Sequence, residues 1–239
     1  MFVIFPISDD NPTTRTPILT WTLIGINVLI FAYQWSLSIP ENNMLIQDYG
    51  VYPSVFTDFN NVHTIFTSAF LHADIWHLLF NMLFLYIYGD NIEAYLGRVN
   101  FLIFYALGGV SAALLQSIFS GGVEVPMIGA SGCISAIMGA YWVLYSKAKI
   151  NVFIWIFIFI QFTKIPASIV IGFWLLEQLI STGNGSYDGV AYFAHIGGFI
   201  FGYLAVKFFF KEYVHYEEFN ENDLPISRKN KSRGLTKDD

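Results

Sequence analysis

The 239-residue chain is 55% hydrophobic and only 13% charged, with a mean hydropathy of +0.52. Soluble globular domains carry about 25% charged residues, and half that load cannot clothe a water-facing surface of this size. The net charge of −6 argues against a nucleic-acid binder, and the single cysteine, Cys133, can build neither an intrachain disulfide nor a zinc–thiolate cluster. What remains is an integral membrane protein, read here as all-α. Residues 1–16 are taken as a cytoplasmic N-terminal segment. They carry Asp9 and Asp10 against one arginine, and no small-residue cleavage site follows the first apolar run, so that run is expected to be retained.

A helix crosses a bilayer with about 20 mostly apolar residues. Six candidate spans follow in order: Pro17–Leu37, Ile75–Ile92, Val99–Phe119, Ser131–Tyr145, Pro166–Ile180 and Val190–Phe210. Ile150–Thr163 is apolar but short, and is read as an interfacial or re-entrant piece ahead of span five. The membrane domain is thus residues 17–210. Residues 211–239 form a polar tail, expected to be disordered.

The basic residues set the orientation. Arg15 precedes span one and Arg98 separates spans two and three. Lys147, Lys149 and Lys164 lie between spans four and five, and the remaining seven end or follow span six. Ser38–Asp74, Ser120–Ala130 and Ser181–Gly189 contain no Lys or Arg. Six spans with both termini in the cytoplasm put all twelve cations inside; five or seven spans break the pattern.

Polar side chains at membrane depth are costly and mark function or helix packing. Three clusters stand near the outer ends of spans. In the first, His72 precedes span two, while His77 and Asn81 lie four apart on one helical face. Polar glue between helices would also use these residue types. The second is Gly129-Ala130-Ser131-Gly132 at the start of span four. A serine there sits beside free backbone N–H groups that suit an oxyanion, although an N-cap serine would look the same. In the third, Ala194, Gly198 and Gly202 make a small-residue stripe beside His195. Packing that stripe on Gly132, Ser135, Ala136, Gly139 and Ala140 of span four brings His195 toward Ser131; a packing stripe with an incidental histidine is the alternative. Together the clusters supply a nucleophile, a base and oxyanion donors for acyl transfer. Asp74 and Asp188 are in outer loops and Glu177 is near an outer helix end, so no carboxylate is assigned to His195. The reading is a Ser–His dyad.

These residues resemble the rhomboid family of intramembrane serine proteases, over about Asn11 to Val206. His72, His77 and Asn81 match its H-x4-H-x3-N pattern, and Gly129, Ser131 and Gly132 its G-x-S-G. Ala194, His195, Gly198 and Gly202 match A-H-x-x-G-x-x-x-G, and Gly89, Glu93 and Gly97 a G-x3-E-x3-G. Asp9-Asp10-Asn11-Pro12 resembles the lead-in of many bacterial members. The resemblance implies a six-helix bundle with a water-filled outer cavity, Ser131 as nucleophile and His195 as base and acid. It implies an oxyanion hole of His77, Asn81 and the Ser131 N–H, a structural His72, and close packing of spans four and six at Gly198 and Gly202. It implies transmembrane protein substrates and no metal or organic cofactor, in a bacterial inner membrane. Two departures stand out. Ser135 occupies a position where many members stack an aromatic ring on the histidine, and the first outer loop has no arginine for the Trp-Arg pair some members carry there. Two other functions fit the class. Catalytically dead relatives bind membrane clients, a reading that the intact Ser131 and His195 oppose. A transporter or channel would line several depths with polar groups, whereas here they gather at the outer ends.

Overall fold

The computed structural model describes residues 2–13, 15–157, 159–183 and 189–210. The polar tail and Asp188 lie outside the described residues. The chain forms β1 (Phe2–Asp9), α1 (Ile18–Ser36), α2 (Ile39–Tyr49), the short α3 (Val55–Asp58) and α4 (Thr64–Thr67), and α5 (Ile75–Leu96). Then come α6 (Arg98–Phe119), α7 (Ser131–Tyr145), β2 (Lys149–Ile156), β3 (Phe159–Pro166), α8 (Ala167–Gly183) and α9 (Tyr192–Phe209). Among the described residues α1, α6 and α9 are long and apolar enough to cross a bilayer. A fourth span is counted if α5 is joined to Thr64–Phe70, from which it turns by 100°. α7 and α8 are shorter apolar helices.

α1 shows what surrounds this bundle. Its polar residues Thr20, Asn27 and Gln34 recur every seven positions and are all buried, while Leu29 is 71% exposed. Polar groups turned inward and large apolar ones outward invert the soluble pattern, as a hydrocarbon solvent demands.

The Gly89–Glu93–Gly97 pattern has a structural explanation. A Cβ on Gly89 would stand 3.0 Å from the Thr20 methyl, so glycine lets α1 lie against α5. Glu93, buried at 3% exposure, accepts hydrogen bonds from Leu19 N–H (3.0 Å), Thr20 N–H (2.7 Å) and Thr20 Oγ1 (2.8 Å). It caps the start of α1, where N–H groups have no partner within the helix. Gly97 has φ of +75°, a conformation glycine adopts without strain, and turns the chain sharply into α6.

The all-helical expectation needs one correction. β1, β2 and β3 form an antiparallel sheet in that order, with Phe5 opposite Phe153 and Phe153 opposite Phe162. The supposed re-entrant piece Ile150–Thr163 is most of the β2–β3 hairpin, and the N-terminal segment supplies the third strand. The hairpin closes at its base where Ala167 N–H donates to Ala148 O at 2.8 Å. The sheet is tied to the bundle by Asp9, whose Oδ2 accepts from Tyr141 Oη at 2.6 Å and Asn91 Nδ2 at 3.0 Å. Tyr141, Tyr88, Phe101 and Leu85 are fully buried in the core above it.

α7 is central, packed by α5, α6 and α9. Glycines bring its backbone against α9. Added Cβ atoms on Gly198 and Gly202 would collide with the carbonyl oxygens of Gly132 and Ala136, and one on Gly139 with that of Phe199.

Candidate active site

Ser131 is the first residue of α7, placed there by a turn that only glycine allows. Gly129 has φ of +115°, and a Cβ on it would lie 2.6 Å from His77 Nε2. Gly129 N–H donates to Ser68 O at 2.9 Å, which holds the turn against the segment ahead of α5. The helix then begins with Ile134 N–H donating to Ala130 O, and Ser135 Oγ donates to Ser131 O at 2.7 Å. Ser135 thus braces the backbone beneath Ser131 rather than reaching His195.

His195 lies in the first turn of α9. Its Nε2 is 2.8 Å from Ser131 Oγ. Gly198 is one turn further along, where its missing side chain lets α9 lie on the Gly132 backbone. Gly132 in turn meets α6, since its Cβ would be 2.6 Å from that of Ala112. The close approach of α7 and α9 thus sets the serine–histidine distance.

On the other side of Ser131, α5 presents His77 and Asn81. Asp74 caps this helix, its Oδ1 accepting from Trp76 N–H at 2.8 Å and His77 N–H at 2.9 Å. The Ala73 N–H donates a long bond (3.4 Å) to His77 Nδ1. Nδ1 then acts as acceptor, which leaves Nε2 carrying the proton on the side facing Gly129. Asn81 gives one amide hydrogen to His77 O at 2.8 Å, and the other has no partner among the described residues. His72, 1% exposed, lies edge-on to His77 with centroids 5.0 Å apart. Its ring nitrogens have no hydrogen-bond partner among the described residues, while its backbone pairs twice with the Gln34 amide. It packs behind the site and does not enter it.

Sequence reasoning missed two residues of α8. Gln178 Oε1 lies 2.6 Å from His195 Nδ1, and the Trp174 ring sits 6.0 Å from the imidazole at 37°. The ring that α7 does not supply at Ser135 comes from this helix, with Tyr192 edge-on at 6.4 Å. The signal in the sequence is a glutamine inside an apolar run, next to Glu177. Glu177 is exposed and accepts from Gln178 Nε2 and Ser181 Oγ.

A cavity of about 40 Å³ borders Ser131, with Gly129, Gly132, Ala112 and Ala194 in its walls. That is room for a water molecule beside the serine.

The family model described as the Rhomboid domain matches residues 60–212. Rhomboid protein 1, mitochondrial, of Saccharomyces cerevisiae is 28% identical over 194 residues, 78% of this chain and 51% of that protein. RHOMBOID-like protein 1 of Arabidopsis thaliana is 32% identical over 167 residues, 70% of this chain and 39% of the relative. Rhomboid protease AarA of Providencia stuartii is 28% identical over 203 residues, 78% of this chain and 70% of that protein. The chain therefore spans about half or less of the length of the first two. The matched region covers most of the chain and holds His72, His77, Asn81, Gly129, Ser131, Gly132, His195, Gly198 and Gly202. On that match, in a helical chain whose apolar faces turn outward, this protein belongs to the rhomboid family.

Proposed function

We propose that the chain is an intramembrane serine endopeptidase that cleaves transmembrane segments near the outer face of the bilayer. The observation that carries this reading is the 2.8 Å approach of His195 Nε2 to Ser131 Oγ beside unspent donors on His77 and Asn81. The name of the Providencia relative, a rhomboid protease, adds support. In this reading α1, α5, α6, α7, α8 and α9 are six spans, with both termini cytoplasmic and the sheet on the cytoplasmic side. The lead-in Asp9-Asp10-Asn11-Pro12 favours a bacterial inner membrane.

The chemistry follows from the atoms. A substrate helix unwinds locally, because an intact helix hides its carbonyls in hydrogen bonds. Ser131 Oγ bonds to the exposed carbonyl carbon while its proton passes to His195 Nε2. The oxyanion takes hydrogen bonds from His77 Nε2, Asn81 Nδ2 and the Ser131 N–H, and losing one such donor costs about 10²–10³ in rate. The C–N bond breaks as His195 gives its proton to the leaving amine. Water then adds to the acyl-enzyme, passing a proton to His195. The ester C–O bond breaks, and His195 returns the proton to Ser131. No step requires a metal or organic cofactor.

The test is cleavage of a single-span substrate in proteoliposomes by wild type, Ser131→Ala and His195→Ala, with labelling by a fluorophosphonate. Wild type is expected to cut and to label, and both variants to do neither. Wild type that neither cuts several substrates nor labels would refute the protease reading. Binding of membrane clients without hydrolysis would then take its place.

A further inference from the structure

We propose that Gln178 is a positioning residue, which fixes the tautomer of His195 so that Nε2 faces Ser131 with its lone pair. The inference rests on the reading of Ser131 and His195 as nucleophile and base. It goes beyond a dyad, because it gives the base an orienting partner that is neither a carboxylate nor on a neighbouring turn of its own helix.

The argument turns on which end of the Gln178 amide meets the imidazole. Gln178 is 3% exposed, so its polar atoms must find partners in the protein. Nε2 lies against two acceptors, the Glu177 carboxylate and, at 3.4 Å, the Trp174 carbonyl oxygen. Turning the amide over would set its oxygen against both of these oxygens and lose both bonds. Oε1 is therefore held toward His195 Nδ1, at 2.6 Å. An amide oxygen can only accept, so Nδ1 carries the hydrogen. In a neutral imidazole the other nitrogen is then the acceptor, and it is Nε2 that lies 2.8 Å from Ser131 Oγ. The opposite tautomer would present N–H to the serine hydroxyl and could not take its proton.

The result is a polar chain running Glu177, Gln178, His195, Ser131, across α8, α9 and α7. In serine triads a carboxylate holds the same tautomer, and an amide in that place fails when it presents the wrong face. Here the Trp174 carbonyl and Glu177 set the face. A neutral amide also orients the base without burying a full charge at membrane depth, which would be costly. Trp174 acts twice, through its carbonyl on Gln178 and its ring on His195.

The test compares Gln178→Met, nearly isosteric but without an acceptor, with the exchanged pair Gln178→Glu plus Glu177→Gln, which restores the acceptor and faces its second oxygen with an amide donor in place of the Glu177 carboxylate. Cleavage rates in proteoliposomes are read as kcat and KM, and the His195 imidazole is read by ¹⁵N NMR of the full chain. For Gln178→Met, kcat is expected to fall about 10- to 100-fold with KM unchanged, the range of a general-base contribution partly lost. The exchanged pair is expected to recover most of that loss. The wild-type His195 spectrum should show one tautomer, with hydrogen on Nδ1, and Gln178→Met should mix the two. A kcat for Gln178→Met within twofold of wild type overturns the proposal. So does an equal fall in both variants with a raised KM, which marks a packing role. Should wild type prove inert as a protease, the NMR comparison still decides. A single unchanged tautomer in Gln178→Met overturns the inference, and mixing supports it.

Discussion

Gly198→Ala probes the link between helix packing and chemistry with one methyl group. The added Cβ would stand 3.1 Å from the Gly132 carbonyl carbon and 3.1 Å from Ser135 Cβ, and closer still to the Gly132 oxygen. Carbon atoms in contact prefer about 3.5–4.0 Å, so α9 must back away from α7 by ~1 Å. His195 is less than one turn away on α9. A retreat of ~1 Å stretches its 2.8 Å contact with Ser131 Oγ to ~3.8 Å, beyond hydrogen-bond reach. A misplacement of that size costs about 10² in rate, or ~2.7 kcal/mol of transition-state stabilisation. The assay is cleavage of a single-span substrate in proteoliposomes, with thermal unfolding measured in parallel. Overpacking should cost ~1–3 kcal/mol of stability, although Gly→Ala normally stabilises a helix. Gly25→Ala in α1 is the control, since nothing lies within 4 Å of its Cβ; full activity and an equal or higher Tm are expected. The nature of the obstacle gives a second arm. Gly198→Ala meets backbone, which no side-chain truncation can clear. Gly132→Ala meets the Ala112 methyl at 2.6 Å, so pairing it with Ala112→Gly should restore activity. A folded Gly198→Ala that cleaves at the wild-type rate would show that close packing of α7 and α9 does not set the dyad.

Two further outcomes concern the end of the bundle that carries the sheet. Glu93→Leu leaves the N–H groups of Leu19 and Thr20 without acceptors and should cost about 2–4 kcal/mol in detergent unfolding, while Glu93→Gln, which keeps an acceptor oxygen, should cost less; equal Tm values for the two would refute the capping role. Asp9 has its pKa raised from 3.8 to about 6, chiefly by burial, with the carboxylates of Asp90 and Asp10 adding to this and the Tyr141 hydroxyl opposing it. The fold therefore holds the Asp9 proton more tightly than the unfolded chain. Its contribution to stability is full below about pH 4 and is lost as pH rises through about 6. Asp9 is partly exposed, so screening reduces the effect to ~1 kcal/mol. Asp9→Asn should raise Tm above pH 6 and leave it unchanged near pH 4; a Tm difference independent of pH would sink the argument.

How much of this was legible in the sequence depended on whether a physical requirement left a mark on residue type. Close backbone approach leaves glycine, so the α7–α9 contact could be read at Gly198 and Gly202, and the turn into Ser131 at Gly129. The hairpin left no such mark. Two-residue hairpin turns usually announce themselves by Asn-Gly or similar pairs, but here Phe157 takes the positive φ, +53°, with no glycine to signal it. Nor does the strand alternate cleanly, because Ile150 and Val152 face the core while the opposite face carries Phe153 and Trp155. An apolar run without alternation reads equally as a short buried helix segment. Gln178 is a different kind of miss. Most buried polar side chains are hydrogen-bonded, so a glutamine in an apolar helix points to a partner, even beside a charged residue. On α1, Thr20 meets Glu93 and Gln34 meets the backbone of His72, whereas Asn27 bonds only the Leu23 carbonyl oxygen of its own helix. What the sequence could not name was the partner, since Gln178 and His195 are 17 residues apart and meet only once α8 folds back on α9. In this chain Thr20, Gln34 and Gln178 therefore mark contacts between segments that apolar periodicity alone does not show.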